Sequence, residues 1–167
     1  MHIRIESAAD VDAIRAVNLA AFETAVEADL VTALRAQATP LISLVAEDGA
    51  AIVGHIMFSP AALDSDPAVR IAGLAPMAVI PSRQRQGIGS LLVRHGLEHC
   101  RRAGFSACVV LGHADYYPRF GFTPASRFGL RSEYEVPDDV FMAMELVPAA
   151  LARASGTVRY HPAFAGL

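Results

Sequence analysis

A proline inside an apolar strand, directly ahead of a glycine-bearing loop, is the feature that most constrains how this chain folds. The strand is predicted over Ile71–Val79, and Pro76 interrupts it. Because proline has no N–H to donate to a sheet ladder, we expect the strand to bulge here or to run along an edge. A polar loop over residues 82–90, a helix over about 87–103 and a fully apolar strand over 106–112 follow. This order predicts a βαβ unit with a right-handed crossover, whose last strand lies in the middle of a sheet covered on both faces.

The segments around this unit alternate between strand and helix patterns. Asp48 and Gly49 join two apolar runs and predict a β-hairpin. Thr24 and Glu27 have the spacing of a capping box and predict the start of a second helix. The predicted strands cover residues 2–6, 41–47, 50–59, 128–136 and 140–146, and the two predicted helices cover about 11–22 and 26–34. The tail, residues 147–167, has one further strand pattern at 156–160 and is expected either to pack on its own sheet or to reach across a dimer.

Size, charge and cysteine content narrow the class of protein. A chain of 167 residues fits one domain, and we assign residues 1–167 to it. The longest stretch without Asp, Glu or Arg, residues 49–63, is too short to span a bilayer. A net charge of -3 argues against a broad nucleic-acid surface. Cys100 and Cys108 lie in apolar patterns, which predicts buried thiols and fits a reducing, cytoplasmic location.

The loop after the interrupted strand has the features of an anion site. A helix begins with unpaired backbone N–H groups and a partial positive charge, and Gly87 and Gly89 at its mouth let an anion approach them. All 14 cations of the chain are arginine, and Arg83 and Arg85 flank the loop with planar forks suited to phosphate. The lysine of a P-loop and the third glycine of a dinucleotide fingerprint are absent. The pattern predicts a phosphate or pyrophosphate cradle, and the alternative is a tight turn between solvated arginines.

Two motifs resemble signatures of the GNAT N-acetyltransferase superfamily. Residues 79–89, Val-Ile-Pro-Ser-Arg-Gln-Arg-Gln-Gly-Ile-Gly, are similar to its acetyl-CoA signature, Gln/Arg-x-x-Gly-x-Gly/Ala. Residues 117–122, Tyr-Pro-Arg-Phe-Gly-Phe, resemble its second mark, a tyrosine four residues before a Gly-Phe pair. More loosely, the whole chain is similar to the YhbS-like predicted N-acetyltransferases. The resemblance implies a three-layer α/β fold with a mixed, mostly antiparallel central sheet of about seven strands, a splay between strands 4 and 5, and helices on both faces.

The same resemblance implies that acetyl-CoA is the co-substrate. Its pantetheine arm is expected in the splay beside the backbone of the fourth strand, and the loop amides are expected to hold its pyrophosphate. Arg119 is expected either near the 3′-phosphate or in solvent. The implied cofactor-binding residues are Met77, Ala78, Val79, Gln84, Arg85, Gln86, Gly87, Ile88, Gly89, Ser90 and Arg119.

The catalytic residues are also inferred by resemblance. Tyr117 matches the tyrosine that protonates the departing thiolate, and its alternative role is to pack under the Gly-Phe turn. An amine must be neutral to attack, and Glu27 and His113 are the candidates for the general base. Glu27 has an alternative role in the capping box with Thr24, and His113 has one in a hydrogen bond that anchors the loop. His55 lies among apolar residues of a strand and is predicted to be a satisfied core histidine.

Together these residues predict an acetyl-CoA-dependent N-acyltransferase. The acceptor is a primary amine on a small molecule, an amino acid or a peptide N-terminus, and it attacks directly in a ternary complex. The alternative from another class is a catalytically inactive module that binds acyl-CoA as a sensor. We expect a monomer or homodimer without nucleic-acid or membrane partners. We expect no metal, although His95 and His99 are four residues apart on a helix, a spacing that metal ligands also have.

Overall fold

The alternating apolar runs become strands and the amphipathic segments become helices in the computed structural model, which describes residues 1–166. The strands are β1 His2–Ile5, β2 Ile42–Asp48, β3 Ala51–Leu63, β4 Ile71–Val79, β5 Ala107–Leu111, β6 Thr123–Pro124, β7 Leu130–Ser132, β8 Phe141–Glu145 and β9 Gly156–Arg159. The α-helices are α1 Val11–Ala21, α2 Val26–Gln37 and α3 Ile88–Arg102.

The main sheet contains seven strands in the order β1-β2-β3-β4-β5-β8-β6. Its neighbouring strands are antiparallel except for β4 and β5, which are parallel and are connected through α3. A parallel pair needs such a crossover, whereas the antiparallel pairs do not. The expected βαβ unit and the mixed, mostly antiparallel sheet of about seven strands are therefore confirmed. The two remaining described strands, β7 and β9, form a small second sheet with the end of β3.

Helices cover both faces of the main sheet. On one face α1 and α2 pack over a core in which Leu34 and Met57 are fully buried. On the other face α3 packs over Leu92 and Phe58. Gly96 allows this close approach, because a Cβ at residue 96 would lie 2.2 Å from the ring of Phe58. The three-layer arrangement is therefore confirmed. No helix in the described part of the chain combines the length and the hydropathy needed to cross a membrane.

The sheet opens between β4 and β5, next to the proline. Two residues of β4, Ala75 and Pro76, lie opposite Met57 alone, so β4 bulges at the position where proline predicts it. Pairing between β4 and β5 ends at Gly73 opposite Val109, although both strands continue. The second edge of β4 is therefore unpaired beyond Gly73, and the expected splay between the fourth and fifth strands is confirmed.

The C-terminal tail packs on its own chain. The strand predicted at 156–160 is confirmed as β9, and Tyr160 and Phe164 are buried in the core below α2. The strand predicted over 128–136 is wrong in extent, since only Leu130–Ser132 is extended and pairs with β9. A 3-10 turn over Ala125–Phe128 precedes it, and Ala125 in this turn is buried. Leu167, the end of the predicted tail, lies outside the described residues.

A chain of buried and partly buried polar side chains lies between the helices and the sheet. The amide nitrogen of Asn18 donates to Nδ1 of His55 at 3.3 Å, so His55 carries its proton on Nε2 and donates to Ser43 Oγ at 2.9 Å. Ser43 donates in turn to Glu6, which is ion-paired with Arg35 at 2.8 Å. His55 is therefore a satisfied core histidine, as predicted, and burial lowers its pKa to about 4.

We expect acid to destabilise this fold through His55. Between the native pKa of about 4 and the ordinary value of 6.5, the unfolded chain binds more protons at this residue than the folded chain. The free energy of unfolding therefore falls as pH decreases through this window, by up to about 3 kcal/mol. Urea unfolding at several pH values between about 7 and about 4.5 measures how steeply the free energy of unfolding depends on pH. The variant His55→Gln removes the titrating group and should flatten the slope, and equal slopes in both proteins would contradict this assignment.

Candidate active site

The loop after β4 forms a cradle of backbone N–H groups at the start of α3. The first hydrogen bond of the helix runs from Leu91 N–H to the Gly87 carbonyl at 3.1 Å. The N–H groups of Ile88, Gly89 and Ser90 consequently have no acceptor within the helix. Gly87 closes the loop with a left-handed backbone, φ +85°, that favours glycine. The loop borders a cavity of about 410 Å³. Free N–H groups at a helix N-terminus attract anions, so the cradle suits a pyrophosphate.

Side chains from the segment after β5 complete this cradle. The guanidinium carbon of Arg119 lies 4.4 Å from the centre of the Tyr116 ring, and the Tyr116 hydroxyl lies 3.1 Å from Ser90 Oγ. Arg119 therefore lies at the cavity, where its side chain is exposed. The residues that line the cavity are Val79, Arg83, Gln84, Arg85, Gly87, Ile88, Gly89, Ser90, Tyr116 and Arg119.

The two loop arginines differ in their surroundings. Arg83 is ion-paired with Asp48 of the β2–β3 hairpin at 2.8 Å and also donates to Gln86 Oε1 at 3.1 Å. Gln86 thus turns its side chain toward Arg83, outside the cavity lining. Arg85 is exposed beside the cavity and has a left-handed backbone, φ +63°. The charge of Arg83 is already partly neutralised by a carboxylate, which leaves Arg85 as the more available loop cation for a phosphate.

Beyond its bulge, β4 presents backbone groups to the splay at alternate residues. The N–H of Ile80 donates toward β3 at 3.0 Å, whereas the carbonyl of Val79 accepts from Gln84 Nε2 at 2.9 Å. Neighbouring residues of a strand direct their backbone groups to opposite edges. Met77 therefore faces the open edge together with Val79, while Ala78 directs its backbone to β3 and buries its methyl group. An extended ligand in the splay therefore has the backbone groups of Met77 and the N–H of Val79 available for pairing.

A larger cavity, of about 590 Å³, borders the same splay. Met77 lies between the two cavities: it lines the larger one, and its Cε would lie 3.5 Å from a Cβ at residue 89 in the cradle. We call this larger cavity the acceptor cavity, after the substrate predicted to bind beside the splay. The other residues that line it are Phe22, Glu27, Leu30, Leu74, Ala75, Pro76, Leu111, Gly112, His113, Tyr117, Tyr134, Val136, Tyr160, Phe164 and Ala165. Glu27 is the one carboxylate among these described residues.

Two consecutive tyrosines divide between the two cavities. Tyr116 lines the cradle and Tyr117 lines the acceptor cavity, with their rings edge to face and 5.1 Å apart. Gly112 makes room for Tyr117, because a Cβ at residue 112 would lie 2.3 Å from that ring. Burial raises the pKa of Tyr117 above its ordinary value of 10, and the nearby Tyr116 and Cys108 add to this effect. The Tyr117 hydroxyl therefore keeps its proton at neutral pH and is available as a donor.

Glu27 lines the acceptor cavity and does not cap its helix. The predicted capping box is wrong, because the N-cap of α2 is Ala25 and no side chain caps it. Thr24 Oγ1 accepts a hydrogen bond from Val26 N–H at 3.4 Å. This contact between residues two apart is typical of a local turn and not of a helix cap. Glu27 Oε1 is buried and has no hydrogen-bond partner in the described part of the chain. An unpartnered buried oxygen is costly, so its position at the cavity wall suits a donor from a ligand.

His113 reaches the cavity from the end of β5. Its imidazole is exposed at the cavity wall. Its backbone carbonyl accepts the N–H groups of Tyr116 and Tyr117 at 3.1 and 3.4 Å. The anchoring of the loop is therefore performed by the backbone of His113, which leaves the ring nitrogens to contact a ligand or water.

Sequence reasoning missed most of the aromatic wall of the acceptor cavity. Tyr134, Tyr160 and Phe164 come from segments in which the pattern predicts only a strand or an undecided tail. Tyr116 lies outside both motifs. Its adjacency to Tyr117 was the available signal, since consecutive residues in a turn point in different directions.

Comparison with known sequences agrees with this geometry. Residues 11–122 match the Acetyltransferase (GNAT) family. The uncharacterized N-acetyltransferase YjhQ of Escherichia coli K12 is 42% identical over 141 residues, which cover 81% of this chain and 77% of YjhQ. The uncharacterized N-acetyltransferase YhbS of the same strain is 34% identical over 165 residues, which cover 98% of each chain.

Solved structures show the same architecture. The structure of the Escherichia coli GNAT family N-acetyltransferase YhbS in complex with CoA matches with a TM-score of 0.91 at 34% identity and covers 98% of this chain and 91% of that chain. A GNAT family acetyltransferase from Brucella melitensis in complex with acetyl-CoA matches with a TM-score of 0.80 at 38% identity and covers 98% and 97% of the two chains. The family match extends over most of this chain and the YhbS match over nearly all of it, so the protein belongs to the GNAT acetyltransferase family.

Proposed function

We propose that this protein is an N-acetyltransferase that transfers the acetyl group of acetyl-CoA to a primary amine by direct attack in a ternary complex. The observation that carries the proposal is the position of Met77 between the two cavities, with free helix amides in one cavity and Glu27 and Tyr117 in the other. The proposal includes a single domain over residues 1–167 and a cytoplasmic location, in keeping with the buried, reduced cysteines.

The chain offers acetyl-CoA a complementary surface. The N–H groups of Ile88, Gly89 and Ser90 would hold the pyrophosphate, with Arg85 and Arg119 as flanking cations. The open edge at Met77 and Val79 would pair with the pantetheine amides, and Gln84 already occupies the Val79 carbonyl from that side. The two solved structures described above were crystallised with CoA and acetyl-CoA, which supports this assignment. Bound acetyl-CoA supplies an activated acetyl thioester.

Glu27 would act as the general base. An alkylammonium ion with a pKa of about 10 is mostly protonated at neutral pH and has no lone pair for attack. Glu27 Oε1, buried and unpartnered at the cavity wall, accepts the proton and passes it to solvent. His113 is the second candidate, through water, from its exposed position on the same wall.

Tyr117 would act as the general acid. The lone pair of the neutral amine forms the new C–N bond at the acetyl carbon, and the C–S bond breaks with its electron pair on sulfur. A backbone N–H on the open edge of β4, at Met77 or Val79, stabilises the negative charge on the carbonyl oxygen. Tyr117 gives its proton to the sulfur, and the proton lost by the new amide nitrogen restores Tyr117 through water. The raised pKa of Tyr117 ensures that the proton is present when the sulfur departs.

Release of free CoA thiol from acetyl-CoA in the presence of an amine panel tests the function directly. The chain's own thiols, Cys100 and Cys108, are fully buried and do not interfere with a thiol reagent while the protein is folded. Mass spectrometry of the amine should show one added acetyl group. Tight acetyl-CoA binding without turnover of any amine would contradict the proposed acetyltransferase activity and would favour the alternative role of an acyl-CoA sensor.

We expect Glu27→Gln to lower kcat/KM for the amine about 100-fold at neutral pH, because the amide cannot take a proton. The loss should shrink as pH rises toward about 10, where the amine is already neutral without help. Acetyl-CoA affinity, measured by calorimetry, should remain unchanged. The matched control is Glu23→Gln, a nearby exposed carboxylate outside the cavity lining. A Glu27→Gln enzyme with the wild-type pH profile would remove Glu27 from the mechanism.

A further inference from the structure

The wall of the acceptor cavity is mostly aromatic and aliphatic. Phe22 and Leu30 line it from the helical layer, and Tyr134, Tyr160 and Phe164 line it from the C-terminal part of the chain. The centre of the Tyr160 ring lies 5.1 Å from that of Phe164 and 6.1 Å from that of Tyr134, whose ring plane is inclined to it by 29°, so the three rings form one continuous surface. A surface of this kind binds an apolar or aromatic body and gains from excluding water.

Among the described residues that line the cavity, Glu27 is the only one that carries a carboxylate. The neighbouring Glu133 is already engaged, since it accepts the Tyr160 N–H at 3.0 Å and is paired with Arg159 at 3.6 Å. Burial raises the pKa of Tyr160 and of Tyr134, and the charge of Glu133 adds to this effect, so both phenols are uncharged at neutral pH. One ammonium group therefore has a partner in this cavity, and a second ammonium group has none.

The described lining also contains no arginine, although arginine is the only cationic side chain of permanent charge in this chain. A carboxylate next to the reacting amine would enter this largely apolar cavity beside Glu27 with no permanent cation to pair with it, since the imidazole of His113 is the only ionisable nitrogen in the described lining. Burying such an unpaired charge is costly. The wall therefore disfavours free amino acids as acceptors.

We propose that the acceptor is a monoamine with an apolar or aromatic body and no carboxylate beside the amine. The proposal rests on the proposed function and narrows it: free amino acids, polyamines and polycationic sugars are excluded from the wide class of primary amines. The ammonium group meets Glu27, and the apolar body lies on the wall formed by Tyr134, Tyr160 and Phe164.

Two matched pairs of amines test the proposal on the intact protein. 2-Phenylethylamine and phenylalanine differ by the carboxylate, and hexylamine and 1,6-diaminohexane differ by the second ammonium group. Calorimetric titration into the protein saturated with CoA measures binding without turnover. We expect the monoamine of each pair to bind at least about tenfold more tightly. Equal or tighter binding of phenylalanine or of the diamine, or no binding of any of the four, would overturn the proposal.

The same amines with acetyl-CoA separate this inference from the proposed function. Selective binding of the monoamines without acetylation would leave the substrate class standing and remove the catalytic assignment. Acetylation with a preference for phenylalanine or the diamine would leave the catalytic assignment standing and overturn the substrate class.

The substitution Tyr134→Ala, at a partly exposed position of the wall, tests the aromatic contact. It should weaken the binding of 2-phenylethylamine severalfold more than the binding of hexylamine, because the ring contact is lost. Leu19→Ala, an exposed residue outside the lining, is the control and should leave both affinities unchanged.

Discussion

The substitution Gly89→Trp is expected to reduce the affinity for acetyl-CoA at least about 100-fold, close to 2.7 kcal/mol of binding free energy. Residue 89 lies in the first turn of α3, and a Cβ there would lie 3.2 Å from the Tyr116 hydroxyl and 3.5 Å from Met77 Cε. The indole would therefore fill the cradle and cover the free N–H groups that would otherwise contact the pyrophosphate. Calorimetric titration of acetyl-CoA into the wild-type and variant proteins measures the loss.

The control for Gly89→Trp is Leu91→Trp, which places the same side chain on the same helix. Leu91 is exposed and lies outside the lining of both cavities. Its variant should bind acetyl-CoA like the wild type, and circular dichroism should show that both variants are folded. Undiminished binding by a folded Gly89→Trp protein would show that the loop is only a tight turn and that acetyl-CoA binds elsewhere.

The substitution Tyr117→Phe is expected to lower kcat by about 100-fold or more, with acetyl-CoA affinity nearly unchanged. The phenyl ring retains the packing against Gly112 and Phe122, whereas the proton donor for the departing sulfur is removed. Because burial raises the pKa of Tyr117, the wild-type rate should not fall through ionisation of this residue as pH approaches 10. Steady-state kinetics at saturating amine and acetyl-CoA, over a pH series, measures both effects.

Tyr116→Phe provides the comparison for Tyr117→Phe. The Tyr116 hydroxyl contacts Ser90 in the cradle, so its removal should raise KM for acetyl-CoA and change kcat little. The two variants are therefore expected to separate binding from proton transfer, although the residues are adjacent in sequence. A Tyr117→Phe enzyme with a kcat within about twofold of the wild type would restrict Tyr117 to packing under the Gly-Phe turn.

The backbone of the candidate cofactor cradle was predictable because it is built from one continuous segment, to which the segment after β5 adds side chains. Pro76 removes a ladder donor, and the glycines at 87 and 89 expose the first turn of α3, so the bulge and the cradle follow from local backbone chemistry. The same local rules predicted the β2–β3 hairpin through Asp48 and Gly49. Local signals were weaker beyond residue 128, where a strand pattern became a 3-10 turn and a three-residue strand.

The acceptor half was decided by packing between segments that are distant in sequence. Glu27 satisfies the spacing of a capping box, yet the first turn of α2 does not form one, and its carboxylate lines the cavity instead. The aromatic wall joins Tyr160 and Phe164 of the tail to Phe22 and Glu27 near the N-terminus. Periodicity reports which residues are buried but not which neighbours they meet.

By itself, the sequence determined the βαβ unit, the interrupted strand and the loop of free N–H groups, because each is indicated by local pattern: successive apolar runs, Pro76, and the glycines at 87 and 89. Only the tertiary structure decided which of two adjacent tyrosines lies in each cavity and which carboxylate lacks a partner. It also decided the apolar character of the acceptor wall. These properties arise from the closure of the tail over the splayed sheet, where side chains more than a hundred residues apart are brought into contact by burial of apolar surface.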